Sequence, residues 1–427
     1  MQQVQAVRGM NDILPSDSPS WNYFEKIISH LAQQYDYAEI RTPVLEKTEL
    51  FVRSVGEVTD IVEKEMYTFE DRNGEKLSLR PEGTASVVRA ALEHSLLYNQ
   101  IQRVWYKGPM FRHERPQAGR YRQFYQIGFE VFGIADAYID AELILMTARL
   151  WRELGLLDRL TLQLNTLGTL EERTRYREDL VAYFNQHLAQ LDDDSRRRLD
   201  KNPLRILDSK NPALKEIISN APALMNYLNE DSLRYFETLK KLLDDNGIAY
   251  QLNSCLVRGL DYYTHAVFEW TSDDLGAQAT VCAGGRYDGL VEQLGGKSTP
   301  AVGCAIGIER ILLLLKQYEL LPTPVTPWLF IVSVGDVAKA QALNLAEKLR
   351  SQFNCGVVYD ATMSSFKSQM KRADKSGAEI ALIIGEDEVN AGTIAIKFLR
   401  DRKDGSMEQV AVPLAEVMTY LEKHKPN

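Results

Sequence analysis

Residues 112–130 read RHERPQAGRYRQFYQIGFE. Four arginines, at 112, 115, 120 and 122, surround a turn containing Pro116 and Gly119. An alternating run follows, with Tyr125, Ile127, Phe129 and Val131 on one face and Gln126, Gly128 and Glu130 on the other. The first face must be buried; the second, taken alone, suits a solvated sheet surface. Two features point to chemistry instead. Glycine weakens a strand interior unless something approaches its backbone closely, and Arg112 shares the sheet with Gly128 and its polar neighbours. Gln, Gly, Glu and Arg on one floor suit a small zwitterion together with a phosphate.

Four other stretches carry the same residue types. RPEGT places Glu82 and Thr84 at a strand–helix junction. There Thr84 serves as N-cap with Glu82 as a dipole partner, or Glu82 pairs with an ammonium. LVRGLDYYTHAVFEW carries Arg258, Gly259, Asp261, Tyr262 and Tyr263 in a muddled alternation that predicts a shaped corner. CAGGRYDGLVEQLGG puts Gly284 and Gly285 ahead of Arg286 and Tyr287; the pair makes a turn or lets backbone approach a ligand. In GIERILLLL, Arg310 falls in the first turn of a helix, where the macrodipole disfavours a cation unless an anion or Glu309 compensates. Together, Arg112, Arg258 and Arg310 suit a polyphosphate, while Glu82 and Glu130 suit a cationic ligand. That combination fits nucleotidyl transfer to an amino acid.

The surrounding pattern predicts how these groups are held. A helix opens at Ser18-Pro19 with Ser18 as cap, and Trp21, Phe24, Ile27, Ile28 and Leu31 give it one apolar face. AEIRTPVLE reads as an extended edge piece. MYTFEDRNGEKLSLR reads as a hairpin in which Asn73-Gly74 supplies positive φ values. A second hairpin spans roughly 104–112 and 122–132. Residues from about 168 to 250 are charged and helix-rich, an inserted module without clear strands. LLPTPVTP, with Pro322, Pro324 and Pro327, is a stiff linker. Beyond it WLFIVSV, GVVYD, IALIIG and TIAIKFL alternate with helical runs and predict a small α/β domain. No GxGxxG or GxxxxGK[ST] follows those strands, so no nucleotide is assigned there.

The totals restrict the function further. A chain of 427 residues with 45% hydrophobic and 26% charged residues has the composition of a soluble globular protein. No apolar run approaches the roughly 20 residues that span a bilayer, and the amino terminus reads as free of a secretory signal. A cytoplasmic location, with no membrane partner, is the expectation. The four cysteines are scattered and the six histidines lack metal-ligand spacing, so no metal site is expected. A net charge of −9 argues against diffuse polyanion binding but not against local basic patches. From residue 325 onward, basic and acidic side chains balance at thirteen each, so the whole surplus lies in 1–324.

RPEGT, FRHERPQAGRYRQFYQIGFE, RGLDYY, GGRYDGL and GIER, in this order, resemble the bacterial-type histidyl-tRNA synthetase family over essentially the whole chain. RGLDYY and GGRYDGL are specific to the histidine enzymes, and the arginine-rich hairpin and GIER are general to class II synthetases. The resemblance implies an α+β class II fold: an antiparallel-sheet catalytic core with a helical insertion, and a C-terminal α/β anticodon-binding domain. The boundaries are 1–167 and 253–320 for the core, 168–252 for the insertion, 321–327 for the linker and 328–427 for the tail. It also implies a homodimer through the first helix and strand.

By the same resemblance, Arg112 would hold the ATP α-phosphate, and Phe124 and Arg310 would sandwich adenine. Glu82, Thr84 and Gln126 would receive the amino group of L-histidine. Glu130 and Tyr263 would bind the imidazole nitrogens, with Tyr262 and Tyr287 nearby. Arg258 would stabilise the reacting phosphate and carboxylate, with Mg²⁺ brought by ATP. Arg115, Gln117 and Arg122 would meet the tRNA acceptor end. An imidazole bonded at both nitrogens permits rejection of analogues by roughly 10⁴–10⁵ without editing, so no proofreading domain is expected and the insertion should contact tRNA. In the tail, Lys367, Lys371 and Lys375 form a stripe at helical spacing beside Arg372. It is a solvated face or an RNA-backbone contact. Two alternatives stand beside this reading. One is a non-catalytic relative that regulates an ATP phosphoribosyltransferase; residues 328–427 and the arginine set argue against it. The other is a different class II synthetase, disfavoured by RGLDYY and GGRYDGL.

Overall fold

The computed structural model describes residues 3–56, 59–209, 211–257, 260, 262–323, 326–362, 364–400 and 409–425, without the side chains of 200, 201, 277 and 278. Arg258, Gly259 and Asp261 of the RGLDYY stretch, and Pro324, lie outside the described residues. The chain divides into two compact units, Met1–Pro322 and Thr323–Asn427.

The first unit has eleven strands among its described residues: β1 (Ala38–Glu39), β2 (Leu45–Lys47), β3 (Tyr67–Glu70), β4 (Lys76–Leu79), β5 (Gln102–Phe111), β6 (Gln123–Phe132), β7 (Thr161–Thr166), β8 (Gln251–Leu252), β9 (Thr264–Thr271), β10 (Thr280–Arg286) and β11 (Ala301–Gly307). Eight form one sheet in the order β1-β5-β6-β11-β10-β9-β7-β8, and β2-β4-β3 form a smaller one. The large sheet is antiparallel through its centre and parallel only in its outermost pairs, β1/β5 and β7/β8.

The alternation of β6 sets the layering. Ile127, Phe129 and Val131 pack with Phe24, Ile28 and Leu31 of the Ser18–Gln34 helix and with the Ala137–Glu153 helix in one core. Gln126, Gly128 and Glu130 therefore face the opposite side. Local details depart from the sequence reading in two places. Ser18 is the first helical residue rather than the cap; the cap position is Asp17, and the Ser18 hydroxyl bonds the Leu14 carbonyl at 3.1 Å. In the β3–β4 turn only Gly74 has positive φ, at 83°, because Asp71 closes a longer loop by accepting from the Asn73 and Glu75 amides at 2.8 and 2.9 Å.

The helix-rich segment is built into the two larger cores of this unit. Phe236, Leu239 and Leu243 of the Glu230–Asp245 helix join the core beneath the sheet. Tyr176, Leu180, Phe184 and Ile206 join Tyr262 and Tyr287 in the second core. One buried ion cluster ties these parts together. Arg286, fully buried at the end of β10, bonds Asp140, the Tyr235 hydroxyl at 2.7 Å, the Ile134 carbonyl at 2.9 Å and Asp288 at 3.1 Å. Gly284 and Gly285 lie within β10 and form no turn; a Cβ on Gly284 would come 2.3 Å from the Gly303 carbonyl of the neighbouring strand.

The second unit carries β12 (Leu329–Ser333), β13 (Val357–Tyr359), β14 (Ile380–Ile384), β15 (Thr393–Phe398) and β16 (Gln409–Pro413) in the order β13-β12-β14-β15-β16. The first three are parallel and the last two antiparallel additions. β16 escaped the sequence reading because QVAVP is short and ends in proline. On the Phe366–Lys375 helix, Lys367, Lys371 and Lys375 are exposed, but Arg372 turns away from them to bond Asp360, Thr362 and Ser364. It braces the domain rather than extending the stripe.

Removing one partner of a buried ion pair strands the other in a poorly solvating interior. Asp140→Ala should therefore destabilise the first unit by about 3–5 kcal/mol. Asp288→Ala should cost less, because Asp288 is a third exposed. Thermal unfolding of the two variants checks this; equal shifts would contradict the ranking.

Candidate active site

A cavity of about 250 Å³ opens over the polar face of β6, β10 and β11. Its walls come from the start of the Thr84–Glu93 helix, the 112–122 loop, the Tyr262–Tyr263 corner and the start of the Ile308–Gln317 helix. Glu82 closes that first helix. Its two oxygens accept from the Thr84 and Ala85 amides at 2.6 and 2.9 Å, and Gly83, not Thr84, occupies the cap position. Burial raises the Glu82 pKa, with the two amides and Arg112 pulling the other way.

Relieved of capping, the Thr84 hydroxyl donates to Glu130 Oε1 at 2.7 Å, and the Tyr287 hydroxyl donates to Glu130 Oε2. Glu130 is 1% exposed and lies just under the cavity floor rather than on it. Burial pushes its pKa up to about 8, against the pull of both hydroxyls. Gly303 makes the space for this carboxyl: a Cβ there would lie 1.7 Å from Glu130 Oε2. Gly128, read from sequence as a place where a ligand nears the backbone, instead admits Tyr106. Tyr106 stands opposite it across the β5/β6 pair, and a Cβ at 128 would fall 2.2 Å from the tyrosine ring.

Beside this buried group, the Gln126 Oε1 atom is buried and has no hydrogen-bond partner among the described residues. A buried acceptor left unpaired costs free energy that an incoming donor recovers. Tyr262, Tyr263 and Tyr287 form an aromatic corner with ring centroids 4.7–6.4 Å apart.

The far wall is cationic. Arg112 is anchored by its Nε to the Pro81 carbonyl at 2.9 Å and lies over the Phe124 ring, 5.3 Å from its centroid. Arg310 is anchored to the Gly119 carbonyl at 3.0 Å and to the Thr280 carbonyl. Burial, and next the neighbouring Arg112 charge, depress the Arg310 pKa. Glu309 turns to accept from the Tyr125 amide at 2.9 Å, and burial pushes its pKa up to about 7. Two partly buried guanidiniums so close together are suited to a shared anion.

Of the residues singled out from sequence, Glu82, Thr84, Arg112, Phe124, Gln126, Tyr262, Tyr263, Tyr287 and Arg310 line this cavity. Glu130 lies directly beneath it, and Arg258 falls outside the described residues. Arg115 and Gln117 are exposed on the adjoining loop, and Arg122 is half-buried at its end. Lys367 and Lys371 belong to the second unit. Sequence reading missed Tyr106, and gave Glu309 only as an acid that could compensate Arg310. Tyr106 sits in the apolar run RVWYKGPMF and looked like core; its signal was the glycine pair, Gly83 and Gly128, that both yield space to its ring.

A family model described as histidyl-tRNA synthetase matches residues 9–311, and one described as an anticodon binding domain matches 329–424. Among solved structures, the chain is similar to the apo histidyl-tRNA synthetase of S. aureus at 37% identity. That match covers 98% of this chain and 99% of the other with a TM-score of 0.81. A histidyl-tRNA synthetase from Nostoc sp. PCC 7120 is similar in fold at 20% identity and TM-score 0.68, covering 99% and 100% of the two chains. So is a protein described as an ATP phosphoribosyltransferase regulatory subunit/histidyl-tRNA synthetase from Bacillus halodurans C, at 22% identity and TM-score 0.64 over 90% and 98%.

The Glu130 proton has a consequence for stability. Its pKa rises from 4.5 to about 8 in the fold. Between those values the folded protein keeps a proton that the unfolded chain has released, so stability falls as pH rises through the window. Glu130→Gln removes this titration, and its Tm should decline less than that of the unaltered protein between about pH 5 and about pH 8.5. Parallel Tm profiles would contradict the assignment.

Proposed function

Because the chain belongs to the histidyl-tRNA synthetase family, and so attaches histidine to its tRNA through a histidyl-adenylate at the expense of ATP, we propose that this adenylate forms in the cavity over β6, β10 and β11. The histidine ammonium sits among Glu82, Thr84 and Gln126, where it supplies the donor that Gln126 Oε1 lacks. The imidazole enters the Tyr262–Tyr263 corner and bonds Glu130 and Tyr263, with Tyr287 behind it. ATP lies along the opposite wall: Phe124 and Arg310 hold adenine, and Arg112 holds the α-phosphate. Arg258 is assigned by family resemblance to the reacting phosphate and carboxylate.

The histidine carboxylate attacks the α-phosphorus, the bond to the bridging oxygen breaks, and pyrophosphate leaves. Negative charge grows on the nonbridging oxygens, where arginines already fixed by backbone carbonyls stabilise it without reorganising. Mg²⁺ enters as part of the ATP substrate. We assign the ion to the phosphates. The terminal ribose hydroxyl of tRNA then attacks the adenylate carbonyl and AMP departs. Arg115, Gln117 and Arg122 face the acceptor end, and Lys367 and Lys371 touch the RNA backbone.

The observation that carries this reading is the pairing of opposites across one small cavity, two anchored arginines on one wall and a sealed carboxyl behind the other. We also infer a homodimer through the first helix and strand and a cytoplasmic location. Val4, Val7 and Leu14, ahead of that helix in the chain, and Leu45 and Phe69 on the small sheet are exposed apolar side chains that a partner could cover. No helix among the described residues is long and apolar enough to cross a membrane. The catalytic core is taken as 1–167 and 253–320 with 168–252 inserted, joined by 321–327 to the tail at 328–427.

Histidine-dependent pyrophosphate exchange, followed by charging of purified tRNA, tests the activity. Glu130→Gln should lower kcat/KM for histidine by about ten- to a hundredfold while ATP KM moves little; equal losses for both substrates would remove Glu130 from the histidine subsite. Lys367→Ala with Lys371→Ala should flatten the salt dependence of aminoacylation, and an unchanged slope would return those lysines to the solvated surface.

A further inference from the structure

The 112–122 loop is held by something outside the hairpin. Within the loop one bridge, Gln117 to Arg120, closes its tip. Its base is fixed by the amino-terminal strap. The Gly9 carbonyl accepts from the Arg122 amide at 2.7 Å and from the Gln123 amide at 3.2 Å, and the Arg8 carbonyl accepts from Arg122 Nη1 at 3.4 Å. Met10 donates to Val7 at 2.9 Å and turns the strap so that Arg8 is presented outward. The fit is tight on both sides. Gly9 has a φ of 85°, and a Cβ there would lie 2.8 Å from Pro116 Cγ and 3.0 Å from Arg122 Cγ. Only glycine takes that conformation without strain.

Strap and loop enclose a cleft of about 340 Å³ lined by Arg8, His113, Glu114, Arg115, Pro116 and Arg122. Its one acid, Glu114, is already paired with Arg120, which leaves the cleft positive. Glu114 also lines the catalytic cavity, so the two openings adjoin. A polyanion reaching the adenylate from this side passes over the arginines. We propose that the strap is a working part of the tRNA-accepting surface: Gly9 positions the loop, and Arg8 adds a cation beside Arg115 and Arg122 for phosphates of the acceptor end. This rests on the reading of the 112–122 loop as the tRNA-facing element.

Arg8 lies outside the catalytic cavity and bears on the second half-reaction rather than the first, which gives the test its readout. In the full-length enzyme, Arg8→Ala should raise tRNA KM about tenfold. It should also lower the log–log salt slope of tRNA binding by about one, and it should change histidine-dependent pyrophosphate exchange far less. Arg8→Lys should recover most of the loss, because a phosphate contact needs charge more than fork geometry. Gly9→Ala should raise tRNA KM as well, and should do so at low salt, since it moves the loop rather than removing charge. Arg115→Ala is the control for the underlying reading. If it leaves tRNA KM unchanged, the loop does not face tRNA. If Arg115→Ala impairs charging while Arg8→Ala and Gly9→Ala leave tRNA KM alone, the strap proposal is overturned and the loop reading stands. Loss of both half-reactions together in Arg8→Ala would also overturn it.

Discussion

A carboxyl group taken out of water has to stay neutral or be met by donors, and the first unit is arranged around one in that position. Glu130 lies in the middle of the large sheet, where Thr84 from a helix and Tyr287 from beyond β10 both donate to it. Three separated segments must come into register for that to happen. Gly303 on the adjacent strand has to forgo a side chain so that the carboxyl fits. The Arg286 cluster reaches the same place from the other side, locking the residue before Tyr287 to Asp140, Asp288 and Tyr235. The buried acid is costly, and the neighbouring packing reads as what offsets that cost.

From this arrangement the polarity of the cavity follows. Acidic and phenolic groups crowd one end, while the hairpin brings Arg112 and the Ile308–Gln317 helix brings Arg310 to the other. Each of the two is anchored by a backbone carbonyl, which fixes where its guanidinium stands in the cavity wall. Burial depresses the Arg310 pKa most, and repulsion from the neighbouring Arg112 charge adds to it. An anionic substrate relieves that repulsion. The layout thus favours a ligand that is positive at one end and phosphorylated at the other, or two ligands that meet in the middle.

Much of this was legible in the sequence. The β6 alternation gave the two faces correctly because period two leaves little freedom once one face is apolar. The arginines at 112 and 310 were legible because a cation at a helix start or beside a polar strand face needs a reason. Other features were hidden. Gly128 was assigned to a ligand, since sequence alone does not say that Tyr106, in register on the next strand, would take the space. Glu82 and Thr84 exchanged expected roles, because which of two neighbours caps a helix depends on backbone angles. Arg372 was grouped with a lysine stripe until its bonds to Asp360 and Thr362 placed it inside the domain. The strap contact between Gly9 and the hairpin joins residues more than a hundred positions apart, which no local pattern reports.

The central claim is that a buried acid and its phenolic neighbours select a ring with two nitrogens. The direct measurement is pyrophosphate exchange by the unaltered enzyme with histidine and with thienylalanine, a substrate of similar shape that has no ring N–H. A site built to bond both nitrogens predicts a kcat/KM ratio of about 10⁴ or more. A ratio below about a hundred would mean that shape alone selects the substrate, and the role given to Glu130 would be wrong.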